Sequence, residues 1–360
     1  MGGSVLGGRT PQAGVSCASA TSGLSDLASV DITSGGVNPT EALGLPRLQE
    51  GLQRLEPLLT ASVVTGDGFL DEVTTHLIAA GGKRLRPLLA LATATGGSRD
   101  ATEDDLMGGV AVELVHLASL YHDDVIDEAT IRRNVESVNS RFGNLVAIVA
   151  GDYLLARSAA IAASLGTEIA ALLADTLGRL CQGQVTEVRS AFQIGRSRQD
   201  YIDSISGKTA ALMATSCRIG ALTGGLPTSE VEACTEFGRK FGMVFQVRDD
   251  ILDITATDGE LKKPPGQDLA EGIYTLPALL ALADPDAGPD LRALLGQPLA
   301  QPERDKARGI VMGTGAIAES VTSARAYVAE AQAATAGIVQ PELRDGLSRL
   351  AAELLSDLPG

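Results

Sequence analysis

Two short stretches of this 360-residue chain carry the residue types and spacing for metal-assisted phosphate chemistry. Tyr121-His122-Asp123-Asp124-Val125-Ile126-Asp127 is answered later by Val247-Arg248-Asp249-Asp250-Ile251-Leu252-Asp253. In each, a basic residue or histidine precedes two Asp, two apolar residues and a third Asp. Residues three and four apart share a helix face, so each triplet projects its carboxylates to one side. Three like charges on one face repel unless a divalent cation lies among them or the face is solvated. The largely apolar segments Val110–Leu120 and Phe241–Val247 lead into these acids, so both clusters emerge from core helices. Oxygen-only donors select hard cations, and Mg2+ characteristically keeps waters and bridges to phosphate. Two facing clusters suit several Mg2+ around one diphosphate, whose departure the charge neutralisation assists.

Positive charge for a diphosphate lies in four segments. Gly81-Gly82-Lys83-Arg84-Leu85-Arg86-Pro87 puts three cations on a Gly-flanked turn. Arg132-Arg133 follows Asp127 closely, and arginine forks suit phosphate. Lys208-Thr209 follows Gly207, and Lys263 sits in Lys262-Lys263-Pro264-Pro265-Gly266-Gln267-Asp268. His116 is two helical turns before Asp123 on the same face, which points to substrate contact.

These residues must be held by helices. Residues 41–60, 105–128, 145–165, 167–190, 201–222, 229–256, 272–283, 302–312, 315–337 and 341–357 are mostly Ala/Leu-rich with helical periodicity. No segment alternates cleanly enough for a strand. Residues 1–40, rich in Gly and Ser, read as a disordered tail, and 41–360 as the functional domain. With 44% hydrophobic but only 3% aromatic residues, the core is packed by aliphatic side chains, which favours helices. A net charge of -16 argues against nucleic-acid partners. The four Cys form no CxxC pair, and no apolar run approaches membrane-spanning length, so a reduced cytoplasmic protein without an integral membrane segment is expected.

Together these residues resemble the trans-prenyl diphosphate synthases, the polyprenyl synthetases, of long-chain type. The likeness runs from about Leu52 to about Leu280. It rests on residues 81–87, both DDxxD motifs, Arg132-Arg133, Gly151-Asp152, Gly207-Lys208-Thr209, Phe245-Gln246 and Lys263-Pro264-Pro265-Gly266-Gln267-Asp268-Leu269. The resemblance implies an all-α fold, a single large helical bundle around a deep central cavity, working as a homodimer. It implies an isopentenyl diphosphate site at Lys83, Arg86, His116 and Arg133. It implies Mg2+ ligands at Asp123, Asp127, Asp249 and Asp253, two or three ions per site, with Asp124 and Asp250 in support. Arg132, Lys208, Thr209, Gln246 and Lys263 then contact the allylic diphosphate. The implied reaction is ionisation of the allylic substrate, condensation with isopentenyl diphosphate and proton loss. The carbonyl dipoles of Lys208 and Thr209, near a helix break, would stabilise the cation.

Two departures stand out. Where the family has Gly, and Pro two positions on, after the paired arginines, this chain has Asn134 and Glu136, which suggests a less tight loop with added negative charge. Where it often has Glu-Gly-Lys, this chain has Glu271-Gly272-Ile273. Product length should follow a tunnel along the helix before Asp123, past Ser119 and Ala118, then Val115, then Val112 and Ala111. These positions carry no ring, and each opened turn adds about 5 Å, close to one isoprene unit. A hepta- to decaprenyl product for a quinone side chain is expected. The alternatives are a geranylgeranyl or farnesyl diphosphate synthase and a non-catalytic partner subunit. A cyclase would want aromatic rings and no second DDxxD.

Overall fold

The computed structural model describes residues 38–257 and 264–358. Pro39 and Thr40 of the expected 1–40 tail open the first helix, while residues 1–37 and the Lys263 assignment lie outside the described residues. Among them the chain forms α1 (Pro39–Leu43), α2 (Leu48–Ala61), α3 (Gly68–Ala79), α4 (Leu85–Thr95) and α5 (Glu103–Ile126). A two-strand ladder follows, β1 (Ile131–Arg132) and β2 (Val135–Glu136). Then come α6 (Val138–Phe142), α7 (Asn144–Leu165), α8 (Thr167–Ser190), α9 (Arg198–Ile205), α10 (Ala211–Thr223) and α11 (Thr228–Thr255). The C-terminal part holds α12 (Gln267–Ala270), α13 (Leu276–Ala283), α14 (Gly288–Leu294), α15 (Gln301–Met312), α16 (Ala316–Thr335) and α17 (Pro341–Glu353).

The expected all-α bundle is what forms. The expected ranges omit α3, α4 and the short α6, α12 and α14. Helix α4 is buried from Pro87 to Thr95, and a helix apolar all round shows no amphipathic period. The expected helix 201–222 is interrupted by a π-helical turn, Ser206–Ala210. Such turns push a bulge out of a helix and are frequent at functional sites.

Helix α5 starts with a capping box: the Thr102 hydroxyl accepts from the Asp105 N–H, and Asp105 accepts from the Thr102 N–H. Arg99 clamps the fully buried Asp105 at 2.6 Å. The helix then runs through the core to Asp127, its C-cap. Helix α10 packs against α4, α5 and α11, and so stands beside both Asp-bearing helices. A large apolar cluster surrounds α4, α5 and α11, a second lies under α13–α16, and a small third one joins Val112 and Val115 to Leu173, Leu212 and Ile219.

The ladder corrects the expectation of a loose loop after the paired arginines. Ile131 pairs with Glu136 and Arg132 with Val135, leaving a two-residue turn. Arg133 (φ 53°) and Asn134 (φ 65°) both adopt the left-handed conformation that such hairpin turns demand, and Asn is among the residues that tolerate it. Glu136 turns to the exposed side, where Ser140 donates to it at 2.8 Å.

Helix α7 also qualifies an expectation, being 22 residues long, with mean hydropathy 1.6 and 39% buried over its most apolar window. By length and composition it is apolar enough to cross a membrane, although it carries Asp152 and Arg157. Its buried face packs on α5.

Helices α4 and α10 approach through Gly220. A Cβ there would lie 1.9 Å from the Ala90 carbonyl oxygen, and backbone cannot swing aside. Gly220→Ala is therefore expected to cost about 1–3 kcal/mol, typical of overpacking, read as a lower denaturant midpoint at unchanged slope. A midpoint equal to the parent's would show that the two helices separate freely.

Candidate active site

A cavity of about 390 Å3 opens between α5, α7, α8 and the π-helical turn. Its polar end carries Arg86, His116, Asp123, Lys208 and Thr209. Its apolar walls are Val115, Ser119 and Leu120 from α5, Leu155 from α7, and Leu177, Leu180 and Cys181 from α8. Beyond Val115 lies the small apolar cluster of Val112, Leu173, Leu212 and Ile219.

The first acidic motif divides. Asp123 lines the cavity, and Asp127 lies exposed one turn on. Asp124 turns inward with 0% exposure, its Oδ1 held by Arg132 at 2.7 and 2.6 Å and its Oδ2 buried without a partner. This corrects two expectations. The three acids do not share one face, because Asp124 is rotated about 100° around α5 from Asp123, and Arg132 is committed to Asp124. Burial pushes the Asp123 and Asp124 carboxyls up, with Lys208 and Arg132 opposing at the first and Arg132 at the second. Although its side chain reaches solvent, the protein around it partly desolvates Asp127 and pushes its carboxyl up to about 6, opposed by Lys208 and reinforced by Asp123 and Glu271.

Lys208 answers this repulsion. Its ammonium donates to Glu187 at 2.5 Å. Burial alone would lower its pKa, but Glu187, Asp123 and Asp127 outweigh burial and raise it. The π-helical turn that presents it is seated on α8 by two glycines. A Cβ on Gly183 would lie 2.6 Å from the Lys208 backbone nitrogen, and one on Gly207 would lie 2.8 Å from the Arg179 carbonyl oxygen. Thr209, next along, donates to Gln246 at 2.7 Å, and Gln246 donates to Asp250 at 3.0 Å. One bulge thus links both acidic motifs.

At the second motif Asp249 is 45% exposed, whereas Asp250 and Asp253 are buried. The Tyr201 hydroxyl donates to Asp250 at 2.5 Å, yet burial, reinforced by Asp268, pushes its carboxyl up to about 8. Asp253 accepts from the Asp268 N–H at 3.3 Å, and its backbone carbonyl from the Gly266 N–H at 2.6 Å, which ties the 264–270 segment to α11. Arg196 acts electrostatically on both Glu187 and Asp250.

The arginines near the Gly81-Gly82 turn gather around one buried acid, Glu113, which is 1% exposed. Arg84 reaches it at 3.0 Å and also binds Glu56, and Arg133 reaches it at 3.8 Å. Arg133 further donates to the carbonyls of Leu77 and Gly81, so its guanidinium fastens the turn from beneath. Arg86 lines the cavity with its buried Nε unpartnered, and burial lowers its pKa to about 10. His116 is held well below its ordinary range by burial and by Arg86, Arg133, Arg84 and Arg132, so its ring is neutral. Lys83 is exposed at the turn.

Of the chain-length residues, Val115 and Ser119 line the cavity. Ala118 does not. It is 0% exposed in the large apolar cluster, because a position five residues before Asp123 is rotated off the Asp face. Sequence reasoning missed Glu113, Glu187, Arg196 and Tyr201. A signal existed for Glu113, a lone charge in an apolar run three residues before His116. The others come from α8, α9 and the loop between them, which only the tertiary fold brings to the site.

The acids offer only oxygen donors, which suits a hard cation. Among the described residues no three acidic, His or Cys side chains converge tightly enough to hold an ion alone. Such a donor set fits Mg2+ shared between carboxylates, waters and substrate phosphate.

A sequence model described as polyprenyl synthetase matches residues 67–309. This chain belongs to the polyprenyl synthetase family. It is 39% identical over 267 residues to a nonaprenyl diphosphate synthase of Mycobacterium tuberculosis, covering 73% of this chain and 79% of that one. It is 41% identical over 238 residues to heptaprenyl diphosphate synthase component 2 of Geobacillus stearothermophilus, covering 66% and 74%. The fold matches a crystal structure of a polyprenyl synthase from Caulobacter crescentus, complexed with calcium and isoprenyl diphosphate, at TM-score 0.82 and 30% identity, covering 89% of this chain and 98% of the other.

The raised carboxyl of Asp127 makes a testable statement about this member of the family. Between 3.8 and about 6 the folded protein keeps a proton that the unfolded chain has released, so metal-free stability falls as pH rises through that window. Asp127→Asn is expected to melt higher than the parent near neutral pH in chelator, and to lose that advantage as pH falls through the window. Equal melting temperatures at neutral pH would show that the carboxylate bears no repulsion.

Proposed function

We propose that this chain is a Mg2+-dependent prenyltransferase that extends an allylic diphosphate, farnesyl or geranylgeranyl, with isopentenyl diphosphate to a long-chain all-trans polyprenyl diphosphate, in keeping with a quinone side chain. The observation that carries this reading is one cavity lined by Asp123 and Lys208 as well as by aliphatic side chains of α5 and α8, with no Phe, Tyr or Trp in its lining. The names of the nonaprenyl and heptaprenyl relatives support the long-chain class.

Asp123, Asp127 and Asp249 are the residues to hold Mg2+; Asp253, expected as a fourth ligand, is buried and accepts from the Asp268 N–H, and with Asp250 it fixes the end of α11. Bound Mg2+ supplies charge neutralisation for the departing diphosphate. Lys208 sits among the same acids and adds a positive charge without needing to move. Arg86, Lys83 and neutral His116 receive the isopentenyl diphosphate, while Arg133 and Arg84 hold the turn in shape around Glu113. The allylic C–O bond breaks, the alkene of isopentenyl diphosphate forms a new C–C bond to that carbon, and the released proton passes to the departing diphosphate. The carbonyl dipoles of the π-helical turn suit the intervening cation.

The growing chain passes Ser119 and then Val115 along α5, facing Leu177 and Leu180. Incubation with farnesyl and isopentenyl diphosphates is expected to give products of seven to ten isoprene units, sized by chromatography. Ser119→Phe should shorten them, and Asp123→Ala and Asp249→Ala should abolish turnover. A parent product that stops at geranylgeranyl length would overturn the long-chain reading.

A homodimer is proposed on α7 and α8, which expose Leu145 (76%), Val149 (55%) and Val188 (55%) away from the cavity lining. Sedimentation is expected to give twice the chain mass, and Val149→Asp to halve it. A monomeric parent would remove this assignment.

A further inference from the structure

Arg248, immediately before the second acidic motif, is an almost fully buried guanidinium, 2% exposed. A buried cation needs a carboxylate within reach, and here two are available. Asp357, in the turn after α17, accepts from Arg248 Nε at 3.1 Å and from Nη2 at 2.5 Å. The remaining nitrogen, Nη1, reaches Asp249 Oδ1 at 3.3 Å. The geometry is therefore a two-point fork on Asp357 and one long contact on Asp249. Forked, charge-assisted pairs are the stronger kind. The turn that delivers Asp357 is itself anchored, with Leu354 buried in the large apolar cluster and Leu355 and Leu358 packed against the second. Asp357 keeps only 12% of its side-chain surface exposed.

We propose that Asp357 is a positioning residue for the metal site: by engaging the Arg248 fork it keeps the guanidinium from closing on Asp249, and so preserves the negative charge of Asp249 for a divalent cation. The inference rests on the reading of Asp249 as a metal ligand. Without Asp357, the buried guanidinium turns onto Asp249, the adjacent acid, and competes with the cation for that carboxylate.

The test measures binding directly. Mn2+ is titrated in the presence of inorganic diphosphate and followed by electron paramagnetic resonance, in the parent, Asp357→Asn, the double variant Arg248→Gln with Asp357→Asn, and Asp249→Asn. Asp357→Asn is expected to weaken Mn2+ binding roughly tenfold, the size of one tightened charge-assisted hydrogen bond. The double variant, with the Arg248 guanidinium removed, is expected to return to within about twofold of the parent. The Mg2+ needed for half-maximal turnover should shift in parallel, while the KM for isopentenyl diphosphate stays put. Parent-like binding in Asp357→Asn, or binding in the double variant as weak as in the single one, would make the pair a structural staple and overturn the proposal. Asp249→Asn reports separately: if it binds Mn2+ like the parent, the ligand reading itself falls, whatever Asp357 does.

Discussion

The site depends on repulsion that the fold does not relieve by itself. Glu187 acts on Asp123, and Asp123 and Glu271 act on Asp127, in surroundings that already disfavour charge. Lys208 is the cation set among them, and its own burial is outweighed by the acids around it. Such a cluster stays uncomfortable without further positive charge. That discomfort is free energy that cation binding can release, and it explains how a chain of net charge -16 can receive two diphosphates.

The π-helical turn is the mechanical counterpart of that charge arrangement. A regular helix over 201–222 would carry Lys208 and Thr209 in ordinary register. The bulge presents both to the cavity, and the Gly183–Gly207 approach lets it sit directly on α8. From there a hydrogen-bonded line runs through Thr209 and Gln246 to Asp250 and Tyr201. The two acidic motifs, on helices separated by α10, are thereby tied to one element.

A second division of labour operates among the arginines. Glu113 gathers Arg84 and Arg133 into the scaffold of the Gly81-Gly82 turn, and Arg86 is left facing the cavity with an unpartnered Nε. Arg132 is similarly consumed by Asp124. Equivalent guanidiniums thus do different work: some shape the walls, and one waits for an anion.

The helical class, the lack of Phe, Tyr or Trp from Leu106 to Leu120 on α5 and the two acidic motifs were legible in the sequence, because each depends on composition or on spacing within one helix. Local spacing also placed Val115, Ser119, His116 and Asp123 together. It misjudged Ala118 and Asp124, which the helix period rotates off the Asp123 face and which neighbouring helices then bury. The Asn134 turn was misread for a related reason: its tightness comes from cross-strand pairing, which no single position announces. Glu187, Arg196, Tyr201 and Asp357 became part of the site only in three dimensions. Their partners lie on other helices, and packing alone brings those charges within reach.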